Sequence, residues 1–254
     1  MLPAILARLF LAGLGIPLTA FAAPPSACEA RSGSTRAVLL ELYTSEGCDS
    51  CPPADRRLSA LKGRAELAGR LVPLAFHVDY WDRLGWKDRF GSAQYSERQY
   101  AMAALARSRQ VYTPQFLRNG RDWRGVDPLD GASTGPPQAD IRLSLAFDSG
   151  AILSIDGAAR VTHSGVDAWL AIYQHNLESA VGSGENAGKT LRHDYVVRRL
   201  IGPLAPGRDG VVSLRRQLAI DPDWKQRDMG IVAFVQDRAS GEVVQALQRH
   251  ACGN

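Results

Sequence analysis

The hydrophobic pattern in the first half of the chain alternates between strand-like and helix-like segments. Residues 38–44 and 71–78 are short and almost continuously apolar, as in strands that are buried on both faces. Between them, Leu58, Leu61 and Leu67 recur at helical spacing. Strand, helix and strand in this order predict a pair of parallel strands joined by a helical crossover.

A second helix and a hairpin are predicted before residue 130. Residues 92–109 begin with a serine that can cap a helix and are rich in alanine, glutamine and arginine. Asn119-Gly120 lies between two short strand-like runs, which is typical of a tight β-hairpin. Residues 34–130 are therefore expected to form an α/β domain.

The second half of the chain has the pattern of an all-β domain. Residues 130–138 are rich in glycine, proline and serine, which predicts a linker. Apolar runs separated by turn residues follow it. The predicted strands are 141–147, 151–156, 167–173, 191–200, 211–220, 230–237 and 242–247. Strands of this length and spacing predict an antiparallel β-sandwich over 139–254.

The composition is that of a soluble globular protein. The 254 residues are 45% hydrophobic and 22% charged, which excludes a wholly disordered chain and a membrane protein with many spans. The formal net charge is only +4, and the 30 basic residues are scattered among 26 acidic ones. We therefore expect no binding of nucleic acid.

Residues 1–22 have the pattern of a cleaved signal peptide. Arg8 precedes an apolar stretch that ends in Ala20-Phe21-Ala22, the small-residue pattern of a cleavage site. An uncleaved N-terminal anchor is the alternative, although the stretch is short for a membrane span. We expect a secreted, periplasmic protein that has no stable membrane span after cleavage. Disulfides persist in that compartment.

Cys48-Asp49-Ser50-Cys51 is the clearest candidate for chemistry. The pair lies between a predicted strand and the start of a helix, where free backbone N–H groups and the helix dipole stabilise a thiolate. Cys48, at the exposed start of the helix, is expected to attack a partner's sulfur, and Cys51 to break the mixed disulfide. A small structural disulfide and half of a metal site are the alternatives.

Motifs around this pair resemble those of known redox proteins. Residues 41–48 are similar to the start of the glutaredoxin active site, and Thr113-Pro114 is similar to the cis-proline loop of the thioredoxin superfamily. More closely, the chain resembles a bacterial family of secreted thioredoxin-like proteins that is catalogued as a domain of unknown function. The segments that carry this resemblance are 41–55, 76–88, 111–115 and 184–191.

The resemblance implies a fold class and a reaction. The fold class is an α/β thioredoxin-like domain with a helical insertion, followed by an antiparallel β-sandwich domain. The reaction is thiol–disulfide exchange on exported protein thiols or disulfides by Cys48 and Cys51. Pro114, in a cis peptide bond, would shape the substrate groove, and no organic cofactor is needed. The main alternative is a non-enzymatic binding module in which the sandwich recognises the partner.

Several residues depart from the thioredoxin pattern. Leu42 stands where thioredoxin keeps a buried aspartate, so proton transfer either differs or depends on Glu41. Glu46, Asp49 and Asp55 surround the cysteines in sequence, and nearby carboxylates disfavour a thiolate. We therefore expect the cysteine pair to be moderately reducing.

His77 and Asp79 form a second set of candidates. Strand alternation places both on one face near the carboxyl end of the predicted strand, where open α/β sheets carry their sites. Together with Cys48 and Cys51, His77 would suit a soft metal, as in a copper chaperone. The alternative is that His77 is an ordinary core histidine.

Residues 183–190 resemble a phosphate-binding loop, but the match is poor. Ser183 stands where the first glycine is required, and residues 190–200 predict a strand in place of the helix that would face a phosphate. We therefore expect a turn that binds no nucleotide.

Cys28 and Cys252 are the two remaining cysteines. In an oxidising compartment they are expected to form a structural disulfide with each other. Two free or intermolecular thiols are the alternative.

Overall fold

Strands dominate the structure, a computed structural model that describes residues 28–132, 135–148 and 152–252. The predicted signal peptide, residues 1–22, lies outside these ranges. Within them, no helix is long and apolar enough to cross a membrane.

The elements are numbered in chain order. The α-helices are α1 (Pro52–Ser59) and α2 (Ala93–Leu105). The strands are β1 (Cys28–Arg31), β2 (Val38–Thr44), β3 (Leu71–His77), β4 (Gln115–Arg118), β5 (Arg121–Asp122), β6 (Ala139–Asp148), β7 (Ile152–Val161), β8 (Val166–Gln174), β9 (Leu177–Ala180), β10 (Thr190–His193), β11 (Val196–Leu204), β12 (Val211–Ser213), β13 (Arg216–Ala219), β14 (Met229–Asp237) and β15 (Val243–His250). Short 3₁₀ helices lie at Ala65–Leu67, Asp82–Leu84 and Gln226–Asp228.

The largest sheet has eight strands and joins both halves of the chain. Its order is β15-β14-β8-β11-β3-β2-β4-β5, with four strands from each side of the predicted linker. Strands β2 and β3 are parallel, as the strand–helix–strand pattern predicted. The halves meet where β11 runs parallel to β3, and there the Ala75 N–H donates to the Tyr195 carbonyl at 2.9 Å.

Two smaller sheets complete the fold. Strands β1, β6, β7 and β12 form one in that order, and β13 also pairs with β7. This sheet packs on one face of the β8–β14–β15 end of the large sheet, where side chains such as Ile141, Leu170 and Ile231 share one core. Strands β9 and β10 form a separate two-stranded hairpin.

A second core packs the helices α1 and α2 against the large sheet. Alternate residues of β8 divide between the two cores: Leu170 faces the first and Ala171 the second. Every residue of β2 and β3 is buried. This double burial explains why these two strands are continuous apolar runs in the sequence.

The expected fold class, an α/β thioredoxin-like domain with a helical insertion followed by an antiparallel β-sandwich domain, is wrong. The protein is mostly β, with only the two α-helices in the described ranges. Strands placed in the sandwich by sequence instead extend the sheet of the first half. An apolar run shows that a strand is buried but not which strand it pairs with. The boundaries 34–130 and 139–254 stay predictions.

A buried ion pair ties α2 to the large sheet. Nε of Arg98 donates to Oε1 of Glu41 on β2 at 2.8 Å, and Nη1 donates to Gln236 on β14 at 3.2 Å. The guanidinium also lies over the rings of Trp169 and Phe234. The Glu41 carboxylate therefore pairs with Arg98, and it lies on the face of β2 opposite the Thr44 side chain. This pairing indicates a structural role for the carboxylate.

Cys28 and Cys252 form a disulfide, which confirms the predicted pairing. The bond joins the first residue of β1 to the segment that follows β15. It spans 224 positions of the chain and therefore closes almost the whole described structure into one loop.

The variant Cys28→Ser/Cys252→Ser should be less stable by up to about 5 kcal/mol, because a cross-link over so long a loop strongly restricts the unfolded chain. Urea unfolding in the absence of reductant measures this. Each single variant removes the same bond and should lose as much free energy of unfolding as the double variant. A double variant that unfolds at the wild-type urea concentration would contradict the expectation.

Candidate functional site

The second disulfide, Cys48–Cys51, lies in a tight turn between β2 and α1. We call residues 45–51 the cysteine turn. Its backbone is closed by two hydrogen bonds, from the Cys48 N–H to Ser45 and from the Cys51 N–H to the Cys48 carbonyl, each at 3.2 Å. Prolines occupy the first two positions of α1, where a missing N–H is tolerated.

Both cysteines of this turn are buried, with 0% of their surface exposed. The expectation that Cys48 is exposed at the start of the helix is therefore wrong. Its physical reason lies far away in sequence, because residues from the second half of the chain cover the turn.

Glu46 is the buried centre of the site. Its N–H donates to Oδ2 of Asp88 at 2.9 Å, and its carbonyl accepts from Nδ2 of Asn186 at 2.9 Å. Its carboxylate accepts from Nε1 of Trp86 at 2.8 Å and contacts Nε2 of His193 at 3.2 Å. Partners from three segments thus satisfy one residue next to the disulfide.

A second buried pair lies beside the first. Nδ1 of His77 donates to Oδ2 of Asp88 at 2.7 Å, and both side chains are fully buried. The rings of His77 and His193 meet edge to face, 4.9 Å between centroids. Asp55 on α1 lies 4.0 Å from His193 Nδ1. Two imidazoles and three carboxylates are therefore packed together under the cysteine turn.

The charges in this cluster shift one another. Burial opposes ionisation of Asp88 and Glu46, but His77 and His193, respectively, together with the hydrogen bonds, hold the pKa of each carboxyl below its usual value. Burial likewise opposes charging of His77, yet the charge of Asp88 raises the pKa of its imidazole. Burial raises the pKa of Asp55. The His77–Asp88 contact therefore favours the charged form of both groups.

The turn between β9 and β10 covers the disulfide. We call residues 181–189 the cover loop. Asn186 is fully buried and donates both amide hydrogens, one to the Glu46 carbonyl and one to the Cys48 carbonyl, each at 2.9 Å. Strand β10 follows the loop at Thr190, as predicted. The phosphate-loop resemblance thus marks a turn that closes over the cysteines.

The Thr113–Pro114 peptide bond is cis, which confirms that prediction. Nε1 of Trp81 donates to the Thr113 hydroxyl at 2.7 Å. The same tryptophan packs on the cysteine turn, since a Cβ built on Gly47 would lie 3.2 Å from the Cβ of Trp81. Trp81 therefore bridges the proline loop and the cysteine turn.

The structure unites some predicted residues and separates others. His77, Asp55 and Glu46 meet at the cluster, whereas Asp79 accepts a hydrogen bond from Ser96 on α2. Sequence reasoning missed the roles of Asp88, His193 and Asn186; the last two lie in or beside the 184–191 motif, and Asp88 ends the 76–88 motif. In the described ranges no group of three or more His, Cys, Asp and Glu is placed to hold a metal ion.

The fold and the site define a β-rich protein with a buried disulfide turn. Comparison with protein families assigns the chain to one of them. Residues 39–236 match the family DUF1223, proteins of unknown function. The chain belongs to this family, which agrees with the expected domain of unknown function. No curated protein matches it.

Two solved structures are similar to the chain. Protein AGR_C_4864 from Agrobacterium tumefaciens is 26% identical, with a TM-score of 0.59, over 85% of this chain and 95% of that one. HBP35 of Porphyromonas gingivalis is 16% identical, with a TM-score of 0.62, over 85% of this chain and 76% of that one. The second likeness shows the fold alone.

Asp88→Asn should lower the free energy of unfolding by about 3 kcal/mol at pH 6, because it leaves buried donors without their carboxylate. The raised pKa of His77 means that the ion pair stabilises fully below the ordinary histidine value and weakens as the pH rises through the raised value. The lowered pKa of Asp88 means that its contribution is lost only in strong acid.

Urea unfolding of wild type and variant between pH 5 and pH 9 measures this effect, and the difference between them should narrow as the pH rises. Asp82→Asn is the matched control, since Asp82 is only partly buried and accepts one N–H from Asp88. Equal losses in both variants would show that the buried pair has no special role.

Proposed function

We propose that the protein carries out thiol–disulfide exchange on exported proteins, through Cys48 and Cys51. The observation that carries this proposal is a short-range disulfide in a turn surrounded by a buried network of titratable side chains. Secretion to an oxidising compartment stays part of the proposal, and the two disulfides are consistent with it.

The two disulfides differ in what they contribute to stability. A cross-link over the 224 positions between Cys28 and Cys252 is worth about 5 kcal/mol by chain entropy. One over the three positions between Cys48 and Cys51 is worth about 2 kcal/mol by the same argument. The short bond therefore stabilises the fold less than the long one does. Its two sulfurs stay close enough for one to displace a partner from the other rapidly.

The proposed steps balance in atoms and electrons. In the reducing direction, the Cys48 thiolate attacks a partner disulfide, forms a mixed disulfide and releases one partner thiolate. The Cys51 thiolate then attacks Cys48, reforms the Cys48–Cys51 bond and releases the second partner thiolate. Two electrons pass to the partner, and the two protons leaving the cysteines are matched by two taken up by the partner thiolates. The oxidising direction reverses these steps.

Residues around the cysteine turn support these roles. Carboxylates of Glu46 and Asp55 near the turn disfavour a thiolate, which supports a moderately reducing pair. Pro114 is proposed to border the substrate groove, since Trp81 links its loop to the cysteine turn. Copper binding through Cys48, Cys51 and His77 has less support, because in the described ranges these side chains are not placed together as a group of metal ligands.

Cys51→Ser should accumulate covalent complexes with exported proteins, because Cys48 can form a mixed disulfide that nothing in the chain then breaks. Cys48→Ser should accumulate few or none. Expression of the full chain in an exporting bacterium, rapid alkylation and mass spectrometry of non-reduced complexes measure both. Complexes in equal amounts from both variants, or from neither, would contradict exchange and favour a structural role for the bond.

A further inference from the structure

Side chains of the cover loop bind backbone groups of the cysteine turn. Besides the two bonds from Asn186, the exposed carboxylate of Glu185 accepts the Asp49 N–H at 3.1 Å. Asn186 is itself held by Lys189, whose Nζ donates to Oδ1 at 2.8 Å. Two carbonyls and one N–H of the turn thus have their partners in the loop.

The cover loop lies on the cysteine turn but belongs to neither the eight-stranded sheet nor the five-stranded sheet. Its strands, β9 and β10, pair only with each other in the described structure. Gly184 and Gly188 have φ of +77° and +80°, values that favour glycine. Gly184 packs on Trp86, where a Cβ would approach the tryptophan Cβ to 3.2 Å.

Cys48 and Cys51 have no exposed surface, so a reagent must move their surroundings, and the cover loop supplies three of the hydrogen bonds that hold the turn in place. Moving the loop away removes the protein partners of the carbonyls of Glu46 and Cys48 and of the Asp49 N–H, and water replaces them. Each protein hydrogen bond that is exchanged for one to water makes the open state less favourable. A small thiol is too short to bond all three groups at once, whereas an extended polypeptide carries both N–H donors and carbonyl acceptors at strand spacing.

We propose that Asn186 and Glu185 determine specificity: they shield the Cys48–Cys51 disulfide from small thiols and yield to a cysteine-bearing polypeptide that replaces their hydrogen bonds. The inference rests on the proposed exchange reaction and names its partner class as an extended polypeptide segment. The two residues act through the turn backbone and take no part in the transfer of electrons.

The test compares two dithiols that reduce the same disulfide in the oxidised full chain. One is dithiothreitol, and the other is an unstructured ten-residue peptide with blocked ends and two cysteines separated by two residues. In each case the dithiol becomes a disulfide and Cys48–Cys51 becomes two thiols. Alkylation at timed intervals and mass spectrometry give the rate constant.

The wild type should react faster with the peptide than with dithiothreitol, after correction for the thiol pKa of each reagent. Asn186→Ala should raise the dithiothreitol rate on the order of tenfold, because the loss of about 1.4 kcal/mol of closing energy is tenfold in the open population. The peptide rate should change less than threefold, so that the preference falls. Glu185→Ala, at an exposed position, should move the preference in the same direction without a risk to folding.

Arg192→Ala is the matched control. Arg192 lies on β10 in the same hairpin, where its exposed side chain pairs with Glu178. Both of its rates should equal those of the wild type. A wild type without preference for the peptide, or variants that change both rates by one factor, would overturn the specificity role and leave exchange intact. A preserved preference in a chain that traps no partner would instead count against the proposed function.

Discussion

The architecture of the site depends on the burial of one carboxylate. Glu46 is fully buried beside Cys48, and a buried carboxylate is tolerated only when its oxygens have partners. Those partners are Trp86 and His193, while Asp88 and Asn186 hold the backbone of the same residue. The loop after β3 and the β9–β10 hairpin therefore meet at this one residue of the cysteine turn.

The large sheet makes this arrangement possible. Since β11 pairs with β3, the hairpin that precedes β11 is delivered to the carboxyl ends of β2 and β3, where the cysteine turn and His77 lie. The first half of the chain supplies the disulfide and the second half supplies its cover. The buried Glu41–Arg98–Gln236 contacts on the opposite face bind the same two halves together. Site and scaffold are thus parts of one cooperative unit.

Sequence reasoning succeeded where local pattern decides the outcome. It gave the bounds of β2 and the β4–β5 hairpin, because burial on two faces and an Asn-Gly turn leave clear signals. It failed where distant residues decide. Residues 190–200 form two strands, because Tyr195 adopts a φ of +60° between them. Cys48, expected to be exposed, is buried, and its carbonyl is bound by Asn186, 138 positions away. No local pattern reveals such a partner.

The long disulfide joins two cysteines that are synthesised far apart in time. Because synthesis runs from the N-terminus, Cys28 meets Cys48 and Cys51 long before its native partner, Cys252, exists. An oxidant that acts on the growing chain therefore meets three thiols. If Cys48 and Cys51 pair with each other, Cys28 stays a free thiol until Cys252 has been added. Early closure of the Cys48–Cys51 ring removes both competitors, since three positions separate them and the bond forms without long-range folding. A chain in which Cys48 and Cys51 are already bonded leaves Cys28 and Cys252 as the two free thiols among its four cysteines.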